Sequence, residues 1–214
     1  MKYFLPILAL VAALATSESA YAQFIFLDTN GDGVNSQTDP RLLDDVLGPS
    51  VTSVDIYLVT NQGKDGNPDV CPTGEPLNIN SYEAVLHSSG SGSVAYGAWT
   101  DNLGFATNLA CGGAPTCAAG PDIWIGKGSG TYLPPGKYKL GTLAITVTGM
   151  PVLDIILSSP SLSSVSETAF GSACPGSLAD NTMRLGTDFF DEYGTEPTTP
   201  VTATTWGKIK KFYQ

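Results

Sequence analysis

Short runs of alternating apolar and polar residues, separated by Gly, Pro, Asn and Ser clusters, recur along this chain and restrict it to strands over most of its length. Ser53-Val54-Asp55-Ile56-Tyr57-Leu58-Val59 is typical, with β-branched and aromatic residues on alternate positions. Ser81 to His87, Ser93 to Trp99, Ile123 to Ile125, Lys137 to Thr148, Val152 to Leu157 and Thr182 to Leu185 read the same way. Pro134-Pro135-Gly136 is a turn that sets where the longest of them begins. With 24 Gly, 15 Pro and only 14% charged residues, the composition is that of a secreted, turn-rich β domain. The expected fold class is mainly β, an antiparallel β-sandwich with one or two short helices.

The first 22 residues read as an export leader. Lys2 precedes an apolar run from Phe4 to Ala15, and Ala20-Tyr21-Ala22 places small residues at −3 and −1 of a cleavage site after Ala22. That run is too short for a membrane span, so a secreted or cell-surface product of bacterial export is expected, with no span in the mature chain. Its net charge of −10 repels nucleic acid and anionic membranes, while divalent cations and neutral polymers stay compatible.

Residues 28–39 carry the one dense chemical motif. Ca²⁺ takes six to eight oxygens, and a loop that wraps it supplies them from positions 1, 3, 5, 7, 9 and 12, with Gly at 6 for the sharp turn. Here those positions hold Asp28, Asn30, Asp32, the Val34 carbonyl, Ser36 and Asp39, with Gly33 at the turn. An acidic Asn/Asp/Gly turn without an ion is the plainer alternative. A second acidic turn, Asn61 to Asp69, alternates oxygens too, but Lys64 and Gly63 interrupt it.

Four cysteines in an exported chain point to disulfides. Of three possible pairings, Cys111 with Cys117 closes a tight Gly-Gly-Ala-Pro-Thr loop and leaves Cys71 with Cys174. That second bridge would close about a hundred residues and contribute roughly 4–5 kcal/mol before native strain. Zinc is disfavoured by the absence of CxxC pairs and by a single histidine.

Two helices are expected. Asp39 can cap one that starts at Pro40, buries Leu42, Leu43, Val46 and Leu47, and stops at Gly48-Pro49. Trp206, Ile209 and Tyr213 share a face of a second, with Lys208, Lys210 and Lys211 on the solvent side. The expected organisation is a leader at 1–22, then a strand, calcium loop and short helix at 23–49. A β-sandwich follows at 50–194, then a Thr/Pro linker with an amphipathic tail at 195–214. Docking on the body, partner binding and sorting are the alternatives for that tail.

The Asp28 to Asp39 loop resembles the calcium loops of dockerins and EF-hands, which open with Asp-x-Asn-Gly-Asp-Gly. The resemblance implies side-chain ligands at Asp28, Asn30, Asp32, Ser36 and Asp39 and a carbonyl ligand at Val34. Three departures argue against a paired, switching EF-hand: Phe24-Ile25-Phe26-Leu27 is strand-like where a helix would enter, Pro40 follows the last ligand, and Asn35 stands where an aliphatic residue is usual. The body, through Val54 to Val59, Ser81 to Leu86 and Pro134 to Leu143, is similar to cohesin-like and carbohydrate-binding sandwiches of bacterial secreted proteins. That likeness implies a jelly-roll-like sandwich used in adhesion, scaffolding or glycan contact.

Catalysis is not expected. His87 lies inside a strand-like run, and no Gly-x-Ser-x-Gly accompanies a serine. Glu75, Glu83, Asp101, Asp122, Asp188 and Asp191 are the carboxylates from which a glycosidase pair would have to come. Trp99, Trp124, Tyr132 and Tyr138 are the candidates for stacking on sugar; Tyr96 and Trp99, three apart in a strand, are expected on opposite faces. The function expected is a calcium-binding structural, adhesive or scaffolding module whose partner is itself or another extracellular protein. A carbohydrate-binding module contacting polysaccharide is the alternative, and a glycan-acting hydrolase a distant third.

Overall fold

A computed structural model describes residues 23–35, 45–63, 76–172, 182–186, 189 and 191–196. The leader, the tail beyond residue 196, Ser36, Asp39, Cys71, Cys174 and residues 64–69 of the second acidic turn lie outside these. The chain is mainly β: β1 (Phe24–Asp28), β2 (Ser53–Val59), β3 (Ile79–Asp101), β4 (Thr107–Asn108), β5 (Thr116–Ala119), β6 (Asp122–Leu133), β7 (Lys137–Ile156), β8 (Ala169–Ser172), β9 (Thr182–Arg184) and β10 (Asp191–Tyr193). Among the described residues there is no helix, and so none long and apolar enough to cross a membrane.

The strands form one connected sheet in the order β10-β1-β2-β7-β3-β6-β4, with β5 on β6 and β8 and β9 branching from β3. It is mixed, which corrects the all-antiparallel expectation. Phe24 of β1 pairs in parallel with Asp191 of β10, while the other strand pairs run antiparallel. A parallel pair needs a long crossover, and nearly the whole body lies between these two strands.

The runs at 81–87 and 93–99 belong to a single strand, as do those at 137–148 and 152–157 apart from Leu157. The glycines between them do not end the ladder. Gly92 faces Gly149 within the β3–β7 ribbon, with φ of 148° and 72°. A Cβ on Gly92 would stand 2.1 Å from the Thr148 carbonyl oxygen, so glycine is what lets the two backbones stay paired through the distortion.

Alternation along the strands feeds one hydrophobic cluster. Ile25, Leu27, Val54, Ile56 and Leu58 from β1 and β2 share it with Tyr82, Ala84, Leu86, Ile123, Ile125, Leu153, Ile155 and Phe170 from the other half of the sheet. The outer faces carry smaller clusters. Phe24, Phe26 and Val59 pack with Tyr57 and Tyr193, and Val85 and Trp124 pack beneath Ala110 and Cys117. β1 is therefore buried at every position, which is what its unbroken Phe-Ile-Phe-Leu run encodes.

Two local expectations are corrected. The helix from Pro40 does not extend through Val46 and Leu47. Val46 bridges Glu196 in parallel, and the Asp45 carbonyl accepts the Glu196 N–H at 2.7 Å, so pairing with the returning chain replaces local helical bonds. Leu47 is still fully buried. Tyr96 and Trp99 share a face, because a bulge lies between them: their partners on β7 are Ile145 and Leu143, only two apart. Both pack against the main core.

Candidate functional site

The Asp28 loop starts where β1 leaves the sheet. Asp28 is 1% exposed, and its carboxylate turns toward the backbone that follows it. Oδ1 accepts the N–H of Asn30 at 3.1 Å and of Gly31 at 2.7 Å, and Oδ2 accepts that of Gly33 at 2.7 Å. The pattern repeats one step on: Asn30 Oδ1 accepts from Asp32 N at 2.9 Å, and Asp32 Oδ1 from Val34 N at 2.7 Å. Each oxygen-bearing side chain thus holds the amide two residues later, a ladder of Asx turns that curls the segment. Gly33, at φ 75°, takes the left-handed conformation the curl needs.

Two buried polar side chains fasten the loop to the sheet. Asn35 Nδ2 donates to the Leu27 carbonyl at 2.8 Å and to that of Gly194 at 3.3 Å. Asp45, fully buried, accepts the Thr29 N–H at 2.8 Å and its hydroxyl at 3.3 Å. In sequence, Asn35 is marked only as a departure from the loop pattern, and Asp45 is not marked at all. In a motif scan, an Asp after the loop carries no mark that distinguishes it from a solvated one.

The donor set fits a hard cation. Asp28, Asp32, the Asn30 amide oxygen and the Val34 carbonyl are oxygen groups of the kind such an ion takes. Asp28 Oδ2 holds one N–H and keeps a lone pair, while Oδ1 holds two and the Asn30 Nδ2 faces Asp32 Oδ2 at 3.4 Å. Ser36 and Asp39 lie outside the described residues. Among the described residues no three His, Cys, Asp or Glu side chains stand together as a metal group, and the loop's described acids are two, Asp28 and Asp32. Nearby, Asp55 is held by Lys139 Nζ at 2.6 Å and by the Thr142 hydroxyl at 2.6 Å. Burial raises the Tyr57 phenol's pKa, and the charges of Asp28, Asp55 and Asp32 raise it further against Lys139.

A second polar cluster surrounds Asp122 at the start of β6. His87 Nδ1 lies 2.6 Å from Asp122 Oδ1, while Oδ2 accepts the hydroxyls of Ser159 and, at 2.8 Å, Ser161. Burial would raise the Asp122 pKa, but hydrogen bonds from Ser159, His87 and Ser161 and the His87 charge outweigh it and leave it lowered. Serine, histidine and aspartate do meet here, yet both hydroxyls bond the carboxylate. The arrangement that activates a nucleophile has serine bonded to imidazole instead.

The other carboxylates differ in setting. Asp101 accepts the Tyr82 hydroxyl at 2.5 Å and the Phe105 N–H at 2.9 Å. Glu83 is pushed up to about 7, first by burial and then by the Glu167 charge, with the Arg184 charge acting against them. Glu75 and Asp188 and the Asp191 side chain lie outside the described set.

Of the four aromatic candidates, Trp124 is buried, and Trp99 sits edge-on to Tyr82 with its N–H on the Tyr82 hydroxyl at 3.2 Å. Tyr138 donates to the Pro134 carbonyl, and Tyr132 is 45% exposed. Cys111 and Cys117 form a disulfide with Cα atoms 6.0 Å apart, closing the loop whose Ala110 packs on Trp124. No protein-family model, curated protein or solved structure matches the chain.

Proposed function

We propose that this chain is a secreted, calcium-binding β-sandwich module with a structural, adhesive or scaffolding role outside the cell. The observation that carries the reading is the Asx ladder from Asp28 to Val34, rooted in a buried aspartate and tied to the sheet through Asn35 and Asp45. A loop held this way has its oxygens arranged before the ion arrives, so an ion that binds only the folded state stabilises it by mass action. Asp28, Asn30, Asp32, Val34, Ser36 and Asp39 are the proposed ligands. The export leader, the Cys111–Cys117 disulfide and the acidic balance support an oxidising, extracellular setting.

The jelly-roll or cohesin-like form of the sandwich is part of this proposal, supported by the shared core between the two halves of the sheet. A glycan-binding role ranks below it. Such a role calls for a row of exposed aromatic faces, and three of the four candidates, Trp99, Trp124 and Tyr138, are occupied with core contacts.

The test is calorimetric titration of calcium into chelator-stripped protein, with melting curves beside it. Saturable binding that raises the melting temperature and disappears in the Asp28→Ala/Asp32→Ala double variant is the expected result. A folded wild-type protein that takes up no calcium and melts unchanged would end the reading.

A further inference from the structure

A cation on the sheet already touches the loop. Lys137 opens β7, and its ammonium donates to the carbonyl of Gly33. The same Nζ lies 5.5 Å from the Phe26 ring centroid and 5.4 Å from that of Tyr57, two rings stacked at 5.0 Å. The side chain is therefore directed at the loop by two aromatic faces and one carbonyl.

The contact falls at an informative place. The peptide joining Gly33 to Val34 has the ammonium on its C=O and Asp32 Oδ1 on its N–H, the latter at 2.7 Å. The Gly33 N–H, one bond earlier in the chain, goes to Asp28 Oδ2 at 2.7 Å. Lys137 thus shares a peptide with Asp32 and is one peptide removed from Asp28. Lys139, the next lysine on this strand, is committed to Asp55 instead.

We infer that Lys137 is an internal counter-cation that sets the calcium affinity of the loop. Without the ion it offsets part of the Asp28 and Asp32 charge and keeps the curl folded. When calcium arrives, the two cations repel across a short distance and the ion binds less tightly than the oxygens alone would allow. Stability of the empty loop and affinity of the filled one are then set against each other through one side chain. The inference rests on the calcium reading of the loop.

The experiment compares wild type with Lys137→Met, Lys137→Gln and Lys137→Arg as the full chain, by calcium calorimetry at low and high salt and by melting in chelator. The two neutral variants should bind calcium about three- to tenfold more tightly at low salt, with the gain shrinking as salt screens the charges. They should also melt lower than wild type in chelator, and Lys137→Arg should follow wild type in both. Neutral variants that bind more weakly, or equally, would overturn the inference while leaving the calcium loop intact: the lysine would then be a tether or a bystander. A folded wild-type protein without calcium binding would overturn both.

Discussion

Asp28 and Asp122 are both buried aspartates at strand ends, and each accepts three donors, but they recruit them differently. Asp28 takes backbone N–H groups from residues two, three and five positions ahead. Asp122 takes side chains from His87, Ser159 and Ser161, which lie 35, 37 and 39 residues away. Backbone donors from the next five residues, two on Oδ1 and one on Oδ2, curl a single loop around the carboxylate. Side-chain donors from His87 and from the Ser159–Ser161 turn instead join two distant segments to the start of β6. The same residue type organises a local loop in one place and serves as a long-range cross-link in the other.

The largest effect should come from removing the cross-link. Asp122→Ala takes the carboxylate from His87 and Ser159, leaving the buried Ser159 only the Ser161 hydroxyl, and should cost about 3 kcal/mol, equally with calcium or chelator, as read from denaturant midpoints. A calcium-dependent cost would break the distinction. The wild-type contribution has a definite pH window. Because the folded pKa of Asp122 lies below its ordinary 3.8, its stabilisation is present above that value and is lost as pH falls through the folded one.

Asp28→Ala should show the opposite dependence. At a calcium concentration about a hundredfold above Kd, it should forgo roughly 2.7 kcal/mol of mass-action stabilisation that wild type gains, with a smaller loss in chelator. Equal melting shifts in the two conditions would make Asp28 a cap and nothing more.

Glu83 sharpens the contrast as a half-buried carboxylate with a carboxylate neighbour. Its folded pKa of about 7 exceeds the ordinary 4.5, so the folded state holds a proton the unfolded state releases, and stability declines as pH rises between those values. Glu83→Gln should flatten that decline and gain about 2 kcal/mol at pH 8. Smallest of the four, Gly33→Ala should cost about 1 kcal/mol in chelator, because φ of 75° strains any L side chain, and more in calcium if the curl is the binding conformation.

These two aspartates also mark how far a sequence can be read. The Asp28 loop was legible because every partner of its ladder lies within six residues, and β2 was legible from Ser53 to Val59 because its alternation is local. The His87–Asp122 contact was not, since it depends on β3 and β6 pairing in one register. Tyr96 and Trp99 were assigned to opposite faces because a bulge shows no periodicity of its own. Val46 and Leu47 looked helical because their spacing is, until a segment some 150 residues later, at Glu196, claims their backbone. Gly90 to Gly92 read as a boundary because glycine normally punctuates, whereas here it lets a long ribbon continue.

The pairing of β1 with β10 bears on how the molecule assembles. Asn35, just past the loop, bonds the carbonyl of Gly194, which lies 159 residues away. A contact of such sequence separation carries a high loop-closure cost and contributes to a slow search for the native topology. Until the last strand docks, the outward edge of β1 is an unpaired, apolar template of the kind that recruits other chains. The final strand therefore acts as a closing seal. The Asp28 loop is fastened through Asn35 to the segment just beyond β10, so anchoring of the loop and closure of that sheet edge are joined.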